Sequence, residues 1–86
     1  MSAIEFFDEA CTAFNAQDYA KAVDLWQKAA DMGHAQAMRN LGQCYVVGQG
    51  VPRDITKGCE LLRKAAAQGY EKAQSRLDSL KEQGLI

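Results

Sequence analysis

Turned by about 100° per residue, residues 35–47 sort into two arcs. Ala37, Met38, Leu41, Gly42, Cys44 and Tyr45 share one, and Gln36, Arg39, Asn40, Gln43, Val46 and Val47 share the other. The first arc predicts a face packed on neighbouring helices, the second a face turned outward. Along the whole chain, the spacing predicts helices over 3–16, 19–32, 35–47, 55–68 and 71–83. Ser2-x-x-Glu5 reads as a capping box at the first helix. Asp18 and Asp54 stand where N-cap acceptors belong. Gly33, Gly69 and Gly84 follow helical runs that end in polar residues, as C-terminal caps do. One proline and few β-branched residues, against many Ala, Leu, Gln, Glu and Lys, favour helix further. Only Gly48-Gln49-Gly50-Val51-Pro52-Arg53 makes a long connection. Five helices with short links predict an all-α stack of helix hairpins, with Phe6, Ala10, Trp26, Leu41, Tyr45, Leu61, Leu62 and Leu77 on the packing face.

The chain also repeats itself. Sliding residues 18–41 onto 54–77, an offset of 36, aligns nine identities: Asp18/Asp54, Lys21/Lys57, Leu25/Leu61, Lys28/Lys64, Ala29/Ala65, Ala30/Ala66, Gly33/Gly69, Ala37/Ala73 and Leu41/Leu77. Each unit is a helix pair that cannot bury its apolar stripe alone, so neighbouring units have to stack. Within the second unit, Leu41-Gly42-x-x-Tyr45-x-x-Gly48-x-Gly50-Val51-x-x-Asp54-x-x-Lys57, followed by Leu61 and Lys64-Ala65-Ala66-x-x-Gly69, resembles a Sel-1-like repeat. That family is a close relative of the tetratricopeptide repeats. The first unit lacks the glycine-rich turn; its Ala10, Phe14, Asp18-Tyr19, Ala22, Trp26 and Ala29 are similar to a plain tetratricopeptide unit. Gly58 stands where the family usually has alanine. Ala30 and Ala66 occupy positions where some relatives carry paired cysteines, so that disulfide pattern does not carry over.

The resemblance implies an α-solenoid of about two and a half repeats. Unit one covers about 3–33, unit two about 34–69, and a capping helix about 70–84. It also implies a non-enzymatic scaffold that holds a peptide or partner protein on a concave groove lined by the first helix of each unit. In unit one those groove positions hold Phe7, Cys11, Phe14 and Asn15; in unit two, Arg39, Asn40, Gln43 and Val46; on the last helix, Lys72 and Arg76. Arg39 and Arg76 would favour an acidic or carboxylate-bearing ligand. The first helix is apolar on two sides, since Phe6, Ala10 and Ala13 already supply a packing face. Three readings of its second stripe stay open. It forms the apolar end of the groove, it buries Phe7 and Phe14 in a homodimer, or it rotates to bury them on its own hairpin.

Composition narrows the field. Apolar residues at 48% and charged residues at 24% argue against disorder. Ten basic against eleven acidic residues leave a net charge of −1, without the basic excess of a nucleic-acid module. No apolar run approaches a membrane span. Met1-Ser2-Ala3-Ile4-Glu5 has no leader character, so a cytoplasmic protein with reduced thiols is the expectation, and the interaction-module reading takes it to be bacterial. Cys11, Cys44 and Cys59 form no CxxC pair, and His34 is the only histidine, so no metal or cofactor is expected. His34 reads as a cap, Trp26 as core, and Tyr45 as an inward aromatic whose hydroxyl reaches a backbone group. Gly48-x-Gly50 has neither a preceding strand nor a following Lys-Ser/Thr, so it reads as a turn and not as a phosphate loop.

Overall fold

Five helices and no strand make up the chain: α1 (Ala3–Asn15), α2 (Tyr19–Asp31), α3 (Ala35–Val47), α4 (Ile55–Ala67) and α5 (Glu71–Glu82). The computed structural model describes residues 1–86. All five helices begin where the sequence predicts, and four stop one residue sooner. The starts are fixed by side chains that satisfy otherwise unpaired amides of the first turn. The Ser2 hydroxyl accepts from the Glu5 N–H at 3.2 Å, while the Ser2 N–H donates to Glu5 Oε1 at 3.1 Å. Asp18 and Asp54 accept from the Lys21 and Lys57 amides at 3.4 and 3.0 Å. His34 caps α3 through Nδ1, which accepts from the Ala37 N–H at 3.2 Å.

Glycine closes most helix ends, but the turn between α1 and α2 has none. Gln17 takes the left-handed conformation there, at φ 64°. Its N–H donates to the Phe14 carbonyl and that of Asp18 to the Ala13 carbonyl, both at 2.9 Å. The same pair of backbone bonds closes the Gly33 and Gly69 turns. Unit one therefore joins its two helices by the kind of turn that uses glycine at positions 33 and 69, here without one.

Each helix packs chiefly on its neighbours in the chain, with α1 against α2 and α3 against α4 making the closest pairs. The stack measures 36 × 25 × 17 Å. Ala10, Ala22, Ala29, Ala37, Ala65 and Ala73 expose nothing, and their small side chains let the helices approach. Leu41, Leu62 and Leu80 fill the spaces between them. Where α3 crosses α4, the backbones themselves touch. A Cβ on Gly42 would lie 2.8 Å from the Gly58 carbonyl oxygen, and one on Gly58 would lie 2.7 Å from that of Gly42. The alanine usual at position 58 would not fit this crossing, so the departure there is structural.

Three expected packing residues sit at the margin of the core. Phe6, Tyr45 and Leu61 are only half-buried. Leu61 borders a recess between α2 and α4, beside Lys57, Glu60 and Lys64. Tyr45 carries the Lys57 ammonium 4.8 Å over its ring centre, in place of the expected hydroxyl bond to backbone. Val46 is corrected in the opposite sense. It is 3% exposed and lies over Gly58, where a Cβ would come within 2.6 Å of its Cγ2. Val46 thus belongs to the α3–α4 interface and lines no groove.

The turn after α3 ties the second hairpin to the first. Gly48 ends α3 in the left-handed conformation, and the Asp54 N–H returns to the Tyr45 carbonyl at 2.8 Å. Arg53 Nε donates to the Val46 carbonyl at 3.2 Å. Gly50, at φ 78°, presses on the start of α2: a Cβ there would stand 2.6 Å from the Tyr19 carbonyl oxygen.

Candidate functional site

Positions i, i+3 and i+4 of a helix share one face. On α1 that spacing brings Cys11, Phe14 and Asn15 together, and on α3 it sets Asn40 beside Gln43 and Cys44, with Arg39 next to them. The two faces look at each other across a cleft of about 230 Å³, floored by Trp26 of α2 and closed at one end by Gln49. One wall is apolar. The Phe14 ring lies 5.4 Å from that of Trp26 and 5.0 Å from that of Tyr19, the latter edge-on. Phe14 is therefore half-buried, with one side left toward the cleft.

The other wall is polar and cross-tied. Arg39 Nη1 donates to Asn40 Oδ1 at 3.3 Å, and Arg76 Nε of α5 donates to Gln43 Oε1 at 2.6 Å. The second bond joins the last helix to the cleft wall. Trp26 Nε1 and Arg39 Nε are buried without any hydrogen-bond partner.

Of the residues expected to line a groove, the structure gathers Cys11, Phe14, Asn15, Arg39, Asn40 and Gln43 around this cleft, with Arg76 reaching it through Gln43. Three are elsewhere. Phe7 packs at a tilt against the His34 ring, 4.8 Å between centroids, Val46 lies under α4, and Lys72 is exposed on α5 outside the lining. Because Phe7 and Phe14 both pack within the chain, α1 presents no free pair of phenylalanines. Trp26, Cys44 and Gln49 were missed as lining residues. The Trp26 signal was in the sequence: its repeat equivalent is Leu62, and the larger ring spans the gap between α1 and α3.

Both thiols of the cleft hold their protons more tightly than a free cysteine. Burial pushes the Cys11 thiol up, opposed by the Trp26 indole beside it, with the Asp8 charge adding a smaller upward push. That indole–thiol contact does not have the geometry of a hydrogen bond, as the unpaired Nε1 shows. Burial alone pushes Cys44 up to about 11.

The Cys44 shift has a consequence for stability. Above the ordinary thiol value of 9.0 the unfolded chain sheds a proton that the folded chain keeps, so stability falls with rising pH. The loss is confined between about 9 and 11 and amounts to at most about 2–3 kcal/mol. Urea midpoints taken from about pH 8 to pH 10.5 should fall more steeply for the wild type than for Cys44→Ala. Parallel slopes would sink this assignment.

The Sel1 repeat family model matches residues 16–34 and 35–70, which is α2, α3, the glycine turn and α4. Several known proteins are similar over part of the chain. DAP3-binding cell death enhancer 1 of Rattus norvegicus is 44% identical over 63 residues, covering 73% of this chain and 12% of the relative. An F-box protein of Arabidopsis thaliana is 46% identical over 46 residues, or 54% and 14% of the two chains. A protein of Neisseria meningitidis serogroup B is 47% identical over 36 residues, or 42% and 8%. The chain thus spans at most 14% of each of these relatives. They come from animal, plant and bacterium, and so give no preference to a bacterial source.

Proposed function

The chain belongs to the Sel1 repeat family, and on that premise we propose that it is a protein-interaction module whose cleft between α1 and α3 receives a peptide segment of a partner. The supporting observation is the build of the cleft. An aromatic floor and wall, Trp26 and Phe14, face a row of hydrogen-bonding side chains, Arg39, Asn40 and Gln43. Extended peptides need both, because side chains alternate with backbone groups along the strand. A volume of about 230 Å³ takes one or two side chains and no folded surface. The rat relative, named for binding DAP3, is itself an interaction protein by that name. No helix is long and apolar enough to cross a membrane, and a cytoplasmic setting that keeps the thiols reduced is part of the proposal.

The test is to fill the cleft without disturbing the core. Asn15 is exposed at its lip, so Asn15→Phe should leave helicity and melting unchanged. It should weaken capture of peptides, selected on the wild type from a random display library, by about tenfold or more. Unchanged capture would place binding elsewhere. Self-association through α1 is the alternative. Its remaining support is the exposed Ile4, at 64%, beside Met1. Sedimentation decides it: a mass held at 9.4 kDa across concentrations excludes the dimer, whereas a dimer dissolved by Ile4→Lys would establish it.

A further inference from the structure

The polar wall of the cleft is a wall of donors. The two carboxamides that face it, Asn40 and Gln43, have their oxygens engaged by guanidinium groups, Arg39 on one and Arg76 on the other. A guanidinium has only donors to give, so the engaged atom in each must be the oxygen, and the NH₂ group is left for something else. Arg39 adds its own charge, and the chain's one ion pair is far from it on α2, between Lys28 and Asp24. No carboxylate lines the cleft. Beneath the surface lie two more N–H groups that make no hydrogen bond, Trp26 Nε1 and Arg39 Nε, the Cys11 thiol lying beside the indole without bonding geometry. Trp26 is 4% exposed, at the floor of the cleft. Leaving such donors unpaired is costly, and native proteins rarely do so without a use for them. The second recess, between α2 and α4, has no such bias: Asp31 and Glu60 stand among its lysines.

Resting on the peptide reading above, we propose that the cleft is specific for a carboxylate of the bound peptide, seated between Arg39 and Trp26 with an adjoining apolar side chain against Phe14. A carboxylate is acceptor-only and has about four lone-pair sites, which matches the donors of the α3 wall, and the Asn15 and Gln49 carboxamides elsewhere on the lining can turn their NH₂ groups to it. The buried positions of Trp26 Nε1 and Arg39 Nε require the group to seat deeply, with the Arg39 side chain turning to meet it. A phosphate would call for more than the single cationic side chain that lines the cleft. The carboxylate has two sources in a peptide, an Asp or Glu side chain and the chain-terminal group.

Random heptapeptides displayed in two formats, with a free C-terminal carboxylate and with that terminus amidated, separate those sources. Trp26 is the only tryptophan, so its emission reports cleft occupancy directly. Side-chain recognition enriches Asp or Glu in both formats; terminal recognition gives binders only in the free-carboxylate format. Changing the enriched acid to its amide, Asp→Asn or Glu→Gln, or amidating the terminus, should weaken binding by about tenfold or more on the wild type. The same change should cost little on Arg39→Met, and Arg39→Lys should recover part of the loss. Peptides that shift Trp26 emission and lose nothing with their acid would overturn the carboxylate while leaving the peptide reading standing. Failure of every peptide to shift that emission, or indifference of binding to Asn15→Phe, would overturn both.

Discussion

Leu62→Ala is expected to cost about 2–5 kcal/mol of folding stability, and Leu61→Ala less than half as much. The two leucines are neighbours on α4 and identical in composition, so only their surroundings differ. Leu62 is 0% exposed, enclosed where α4 meets α3 close to the Gly42–Gly58 contact. Its truncation leaves a cavity that the touching backbones cannot close, and the cavity cost adds to the lost burial. Leu61 is half-buried beside a recess that opens to solvent, so water fills the space its side chain leaves. Urea denaturation of the two variants measures the difference. Equal losses would mean that the face of α4 turned to α3 has been misassigned.

Gly50→Ala is expected to cost roughly 2–4 kcal/mol, while Gly33→Ala costs about 1. Both glycines have positive φ, 78° and 86°, so an alanine at either is strained by a similar amount. They differ in what the new methyl meets. Beyond Gly33 there is nothing within 4 Å; beyond Gly50 the Tyr19 carbonyl oxygen stands at 2.6 Å and Val23 Cγ2 at 2.9 Å. An alanine at 50 therefore has to lift the glycine turn off α2, and the turn carries Gln49 at the end of the cleft. A melting temperature lowered equally by the two substitutions would show that the turn is not seated on the first hairpin.

The helices were legible because their signals are local. Ser2 with Glu5, Asp18 and Asp54 act within one turn of themselves, and the structure finds each cap in place. Half of the cleft was legible for a similar reason, since Arg39, Asn40 and Gln43 share the outward arc of α3. Val46 was misread on that same arc. A division into two faces gives a helix a single packed side, but α3 is packed by α2 on one side and by α4 on another. What buries Val46 is the missing side chain of Gly58, twelve residues away in sequence, and no periodicity carries that information. Phe7 and Phe14 were ambiguous for a related reason: an apolar stripe states that burial is needed, and the partner is set by three-dimensional neighbours. His34 and Trp26 supply it. Trp26 and Gln49 escaped notice because the groove was assigned to the first helix of each unit, whereas the floor comes from a second helix and the end from a turn.

The nearest-neighbour packing of the helices also governs how the chain acquires its shape. Contacts concentrated between consecutive helices mean that little chain has to be closed into a loop before each contact is gained, and such topologies fold in microseconds to milliseconds. Each hairpin is a natural first nucleus, and the next helix adds to a surface already formed. The cleft is the exception. It draws on α1, α2, α3 and the turn after α3, so it exists only after the first hairpin and the second have docked. The cleft is therefore assembled only when the two hairpins dock, and it is lost as soon as they part.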